Sequence, residues 1–277
     1  MMLRLLLTCA VVLVSAIAAQ TPPVAPSPVA PSEAPPAAAA QDRMLDAMEK
    51  YGARYVASLP NFLCVQVTHQ FEARYSSNRW HKGDTLTSRL SFRDGEEKRT
   101  LDLVNGKPAD PSKRHWHAPL TTEGEFGTLL SRIVDPYTDA SFTWDRWETV
   151  RGKRLAVFNY TVDKDHSTLK MQLSDVAQAV LPYHGSMFID PDTGAVWRIT
   201  DAADSDIPPQ LQMRQISTVI DYAETQIGGK TYLLPATASV AVVSFAGNVR
   251  NDLEFQDYRK FEADSVIKFG DATGEQH

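Results

Sequence analysis

The run Val65-Gln66-Val67-Thr68-His69-Gln70-Phe71-Glu72-Ala73-Arg74-Tyr75 alternates between two sets of residues over eleven positions. Successive side chains of a strand point to opposite faces, so alternation of this length predicts one long, half-buried strand. Val65, Val67, Phe71 and Ala73 are read as its buried face. His69 falls in that series and is read as a satisfied core histidine.

Upstream, Met44, Leu45, Met48, Tyr51, Tyr55, Val56 and Leu59 make one apolar stripe at helical spacing, and Pro60 stops it. A helix over Gln41–Leu59, with Asp42 as N-cap, is expected. Downstream, Leu86, Leu90, Phe92, Leu101 and Leu103 continue the period of two. Asp94-Gly95 and Asn105-Gly106 supply the positive φ of tight hairpins. Thr122 and Glu125 have capping-box spacing, and Phe126, Leu129, Leu130 and Ile133 follow as a short helical stripe. Further strands are expected near 141–148, 154–163, 167–174, 183–190, 194–201, 214–225, 230–245, 249–259 and 264–269. Arg151-Gly152, Asp190 to Gly194, Gly228-Gly229 and Gly247-Asn248 lie between them as turns. No βαβ rhythm is present. The fold class is α+β and mostly antiparallel β. It is a curled sheet or half-barrel covered by one N-terminal and one central helix.

The first forty residues are set apart. Arg4, an apolar run from Leu5 to Ile17 and Ala16-Ile17-Ala18 read as a secretory signal over 1–19. Residues 20–41 are Pro/Ala-rich, and each proline removes a donor and fixes φ, so a disordered spacer is expected. A single β-rich domain then spans 42–270, with a disordered tail at 271–277. The apolar run is too short to span a bilayer, which needs about 20 residues, so no transmembrane helix is expected in the mature chain. The protein is expected to be periplasmic or secreted.

The 277 residues carry 28 basic and 34 acidic side chains, a net charge of −6. Loss of Arg4 with the signal makes it −7. That balance argues against nucleic acid as a partner. The two cysteines exclude a disulfide-rich scaffold. Cleavage leaves Cys64, among apolar neighbours, as a buried thiol, an interchain disulfide or a nucleophile, burial being favoured.

No catalytic signature is found, and neither catalytic residues nor metal ligands nor cofactors are assigned. His184 and Ser186 lack the second glycine of a nucleophile elbow. His115 and His117 share a strand face near Asp110, Glu123 and Glu125, but a zinc site needs three or four ligands in a tetrahedron. Asp190-Pro191-Asp192-Thr193-Gly194 begins like a calcium loop, with Asp201 at the twelfth position. Its glycine is one place early and that position should be glutamate, so a turn is the better reading. Asp201, Asp204 and Asp206 read as a solvated acidic loop. Paired carboxylates for sugar chemistry have no fixed spacing, and none stands out. Phe71, Trp144, Phe158, Tyr160 and Trp197 recur at strand period. They are candidates for the wall of an apolar ligand site, although aromatic residues at this period are more often core.

The order of features, with Phe188-Ile189-Asp190-Pro191-Asp192-Thr193-Gly194-Ala195-Val196-Trp197-Arg198-Ile199 and Ile227-Gly228-Gly229-Lys230-Thr231-Tyr232-Leu233-Leu234-Pro235, resembles the LolA/LolB-like group of periplasmic lipoprotein-carrier proteins. Tyr258-Arg259-Lys260-Phe261 is similar to the close of related secreted bacterial proteins. The resemblance implies an antiparallel half-barrel lidded by helices, with an apolar cavity for acyl chains. The expected function is a non-enzymatic exported protein that binds or carries a lipid or lipidated partner. The other readings are a structural or assembly module with an envelope protein as partner, and, third, a hydrolase.

Overall fold

The computed structural model describes residues 33–74, 79–110, 125–173 and 177–261, all within the unit Glu33–His277. In chain order the elements are α1 (Ala38–Ser58), β1 (Phe62–Ala73), β2 (His81–Arg93), β3 (Glu96–Val104), β4 (Lys107–Pro108), α2 (Thr128–Val134), β5 (Ser141–Val150), β6 (Lys153–Val162), β7 (Lys170–Leu173), β8 (Ala177–Val180), β9 (Tyr183–Ile189), β10 (Val196–Ala203), β11 (Met213–Ile227), β12 (Lys230–Ser244) and β13 (Asn248–Lys260). Eleven strands form one antiparallel sheet in the order β4-β3-β2-β1-β13-β12-β11-β10-β9-β6-β5. β7 and β8 pair apart from it. The large sheet is not closed, and a helix near the N-terminus and a central helix accompany it, as the sequence leads one to expect.

Local turn chemistry explains much of this order. Asp94-Gly95, Asn105-Gly106, Arg151-Gly152 and Gly228-Gly229 all take positive φ at both positions. That is the requirement of a two-residue hairpin whose twist matches its strands. The non-local step is the pairing of the first long strand with the last, from Phe62↔Lys260 to Ala73↔Asn248. The expected strand at 264–269, the capping residue Thr122 and the segments before Glu33 lie outside the described residues. β8 was not expected.

The alternation in β1 is confirmed, but its faces are reversed. Phe62 pairs with Phe92 and Cys64 with Leu90, and all four are in the core against the helices. Gln66 and Thr68 share that face, opposite Phe255 and Leu253. Gln66 Nε2 donates to Thr68 Oγ1 at 2.9 Å. Val65, Val67, His69 and Phe71 point the other way. There the Arg250 guanidinium lies 4.6 Å from the Phe71 ring centroid, and long polar side chains of this kind can cover apolar surface. His69 is not a core histidine. It is half-buried on the outer face, with Nδ1 3.2 Å from Thr85 Oγ1.

The helix layer buries Met48 and Tyr55 from α1 and Leu129, Leu130 and Ile133 from α2. Their sheet partners include Met187, Ile199, Ile220, Leu234 and Leu253, all 2% exposed or less. Tyr55 Oη donates to Leu233 O at 2.8 Å, which ties α1 to β12. Cys64 is a free, buried thiol, and burial pushes its pKa well above the ordinary value. Such a thiol keeps its proton and is a poor nucleophile.

The Asp190–Gly194 segment is a turn. Asp190 Oδ1 accepts from the backbone N–H groups of Asp192 (3.1 Å) and Thr193 (3.0 Å), and Oδ2 from Lys153 Nζ at 2.9 Å. Burial alone would raise the Asp190 carboxyl. The Lys153 ammonium and the two N–H groups outweigh it and hold the pKa below its ordinary value of 3.8. A carboxylate lowered in this way contributes stability that is complete above the unfolded value and is lost as pH falls through the folded one. Asp190→Asn is therefore expected to show a stability deficit at about pH 7 that shrinks by about pH 2.5. Thermal unfolding of both proteins at both pH values checks this, and an equal deficit at both would place its source elsewhere.

Candidate functional site on the helix-covered face

Cross-strand pairing gathers aromatic residues at one edge of the sheet. Trp144 pairs with Phe158, Phe142 with Tyr160, and Trp147 with Ala156, so all share the helix-covered face. A register shift between Trp144 and Arg146 takes up one residue, which brings Trp144 and Trp147 onto the same side. The Trp144 ring lies 5.0 Å from Trp147 and 5.4 Å from Phe158, both edge-on. Phe158 and Tyr160 are 1% exposed. Phe142, Trp144 and Trp147 are half-buried on β5, an edge strand of the sheet among the described residues. Aromatic surface thus runs without a break from that edge into the interior. The Arg154 guanidinium stacks 3.5 Å over Trp147 and pairs with Glu33, just before α1.

A buried polar cluster pins α2 to the same face. Arg132 Nη2 lies 3.2 Å from Asp201 Oδ2. Tyr160 Oη donates to Asp201 Oδ1 at 2.7 Å, and the Arg132 guanidinium sits 4.7 Å over the Tyr183 ring. Burial raises the Asp201 carboxyl, and the Arg132 charge and the Tyr160 hydrogen bond lower it only in part. The net direction is up. The ion pair therefore fixes the helix to one place on the sheet more than it stabilises the fold. The second polar contact joins Glu125, before α2, to Arg99 of β3 at 3.4 Å.

This corrects the reading of Asp201 as part of a solvated loop. Asp201 is 8% exposed and belongs to β10. The signal was present in the sequence, because Ile199, Asp201 and Ala203 share one strand face by period two. Arg132 was missed because it lies beside, not within, the apolar stripe of α2.

The five aromatic candidates divide between the two faces. Trp144, Phe158 and Tyr160 are brought together on the helix-covered side. Trp197 lies on the opposite face in a separate cluster with Val150, Leu155, Val157 and Phe188, under Lys153 Nζ at 4.6 Å. Phe71 is also on that face. They do not share a wall with the other three. Ser186 Oγ donates to Asn159 Oδ1 at 2.7 Å, while His184 Nε2 lies 3.2 Å from Asp204 Oδ1, so the two side chains are engaged separately. His115, His117 and Glu123 lie outside the described residues.

No family model and no curated protein matches the chain. Among solved structures it is similar to an outer membrane lipoprotein-sorting protein domain from Vibrio parahaemolyticus, at 8% identity and a TM-score of 0.38, over 82% of this chain and 95% of that one. It is also similar to a DUF1329 family protein from Desulfovibrio piger, at 10% identity and a TM-score of 0.37, over 82% and 94%. A LolA superfamily protein from Nitrosomonas europaea follows at 10% identity and a TM-score of 0.31, over 80% and 94%. The likeness is one of chain layout and covers most of each chain.

Proposed function

We propose that the protein is an exported, non-enzymatic carrier that holds an acyl chain of a lipid or lipidated protein between its helix layer and its sheet. One observation carries this reading: the half-buried Phe142, Trp144 and Trp147 on the edge strand β5 lead directly to Phe158 and Tyr160 under the helices. An acyl chain laid on that shelf would pass inward along apolar surface, displacing the helix layer as it goes. The signal-like segment and the expected periplasmic or secreted location agree with it. Phe71 and Trp197, on the far face, have no part in the site as proposed.

The test is a titration of the protein with a fluorescent fatty-acyl probe, competed with unlabelled palmitate. Saturable uptake is expected, with Trp144→Ala weakening it by about tenfold, the scale of a buried aromatic anchor at an interface. Absence of uptake at probe concentrations well above the protein would overturn the carrier reading and leave the envelope assembly module in its place.

A further inference from the structure

Behind the buried Tyr160–Asp201 pair, the opposite face of the sheet holds a depression of about 430 Å³. β6, β9, β10 and β11 form it. On the helix-covered side, a Cβ at position 185 would stand 1.8 Å from Thr200 O and 2.9 Å from Tyr160 Oη, so only glycine lets β9 approach β10 here.

The rim is polar and neutral: Asn159, Thr161, Ser186 and Ser217, with His184 at one side. Ala202 and Val219 lie among them. Two of these polar groups are already oriented, Ser186 by Asn159 and His184 by Asp204. The Asn159 amide N–H groups and the Thr161 and Ser217 hydroxyls make no hydrogen bond among the described residues. They have donors and acceptors left for a ligand.

We infer that this depression binds a neutral, hydroxyl-rich ligand, a short glycan. Among the described residues no lysine or arginine lines it, so nothing in that lining would neutralise a phosphate or carboxylate. Asp201, the one carboxylate among the described lining residues, is held from the other face by Arg132 and Tyr160, so it is not free to bind a cation. A pyranose ring presents C–H surface on its faces and hydroxyls at its edge. Ala202 and Val219 suit the first, and the polar rim suits the second. The volume falls in the range of roughly 300–1,000 Å³ of small-molecule sites. This site is on the face away from the acyl shelf, and it stands or falls independently of the carrier reading.

The experiment is an amide-resolved NMR titration of the folded protein with maltotriose, cellotriose and tri-N-acetylchitotriose in turn. For at least one of them, saturable shifts are expected at residues 159–161, 184–186, 200–202 and 217–219. Asn159→Leu should weaken that binding by about tenfold, the scale of one lost hydrogen bond. Ser217→Tyr, which fills the recess, should abolish it, and Trp144→Ala should leave it unchanged. The unperturbed part of each spectrum reports that the variants are folded. The absence of saturable shifts with all three sugars at concentrations on the order of 10 mM, ten times a 1 mM dissociation constant, would overturn the inference. Shifts centred on Trp144 and Trp147 would overturn it too.

Discussion

Gly194→Ala is expected to lower stability by about 3 kcal/mol or more, the combined scale of left-handed backbone strain and overpacking. Two independent costs meet at this position. Gly194 has φ +73°, where a side chain is strained whatever the space around it. A Cβ there would also stand 2.3 Å from the Ala47 carbonyl carbon and 2.4 Å from its oxygen. Those are backbone atoms of α1, which cannot rotate away. Either the Asp190–Gly194 turn or the helix must move. The turn is held by Lys153 and by its own N–H groups, so α1 is the element expected to shift. Urea unfolding measures the loss through the transition midpoint at constant slope. A midpoint within error of the wild type would mean that α1 is not seated on this turn. If the protein takes up acyl chains as proposed, a variant that remains folded should also show altered uptake, because α1 is half of the helix layer.

Arg132→Met should cost about 3 kcal/mol, toward the lower end of what removing one partner of a buried pair does. The guanidinium keeps some solvent contact, at 20% side-chain exposure, while the Asp201 side chain keeps 9%. The loss comes from Asp201, left as a buried carboxylate with only the Tyr160 hydroxyl to answer it. Asp201→Leu alone strands the cation and should also destabilise. The double variant, Arg132→Met with Asp201→Leu, is expected near wild-type stability, because a packed apolar pair of similar volume often matches a buried ion pair. The cycle isolates the coupling. The pH dependence has a definite sign. The Asp201 carboxyl is raised in the folded state, so it favours folding at acid pH and loses that contribution as pH rises through its folded value. Removing Arg132 raises it further, so the deficit of Arg132→Met should be larger at about pH 7 than at about pH 4. Additive single losses in the double variant, or a deficit independent of pH, would sink the account.

Together these two sites describe how the helix layer is held. α1 is seated by backbone contact on a rigid turn. α2 is located by one ion pair whose burial is costly. An ion pair that is costly to bury loses less than apolar packing does when α2 leaves the sheet, as the proposed uptake of an acyl chain would require.

Much of the fold was legible because hairpins and amphipathic stripes are local. Asp94-Gly95, Asn105-Gly106, Arg151-Gly152 and Gly228-Gly229 mark turns from their own φ preferences. Met48 and Tyr55 identify the inner side of α1 from helical spacing. The site was less legible. The aromatic residues of β5 and β6 could be named, but not told apart from Phe71 and Trp197 on the far face. Asp201 was grouped with Asp204 and Asp206 by proximity, although strand period sets it with Ile199.

The amino-acid sequence by itself determined most of the strands and both helices, where most of the hairpins turn, and that the sheet is antiparallel with helices to cover it. Only the tertiary structure decided which face of each strand lies inward. In β1 both faces acquire cover: Gln66 and Thr68 sit among core residues on one side, and Arg250 lies over Phe71 on the other. Alternation states that two faces differ, yet it cannot state what will lie against each. That depends on partners such as β13, nearly two hundred residues away along the chain. The same holds for Arg132 and Asp201, whose |i−j| separation is 69 and whose burial follows from the packing of α2 on β10.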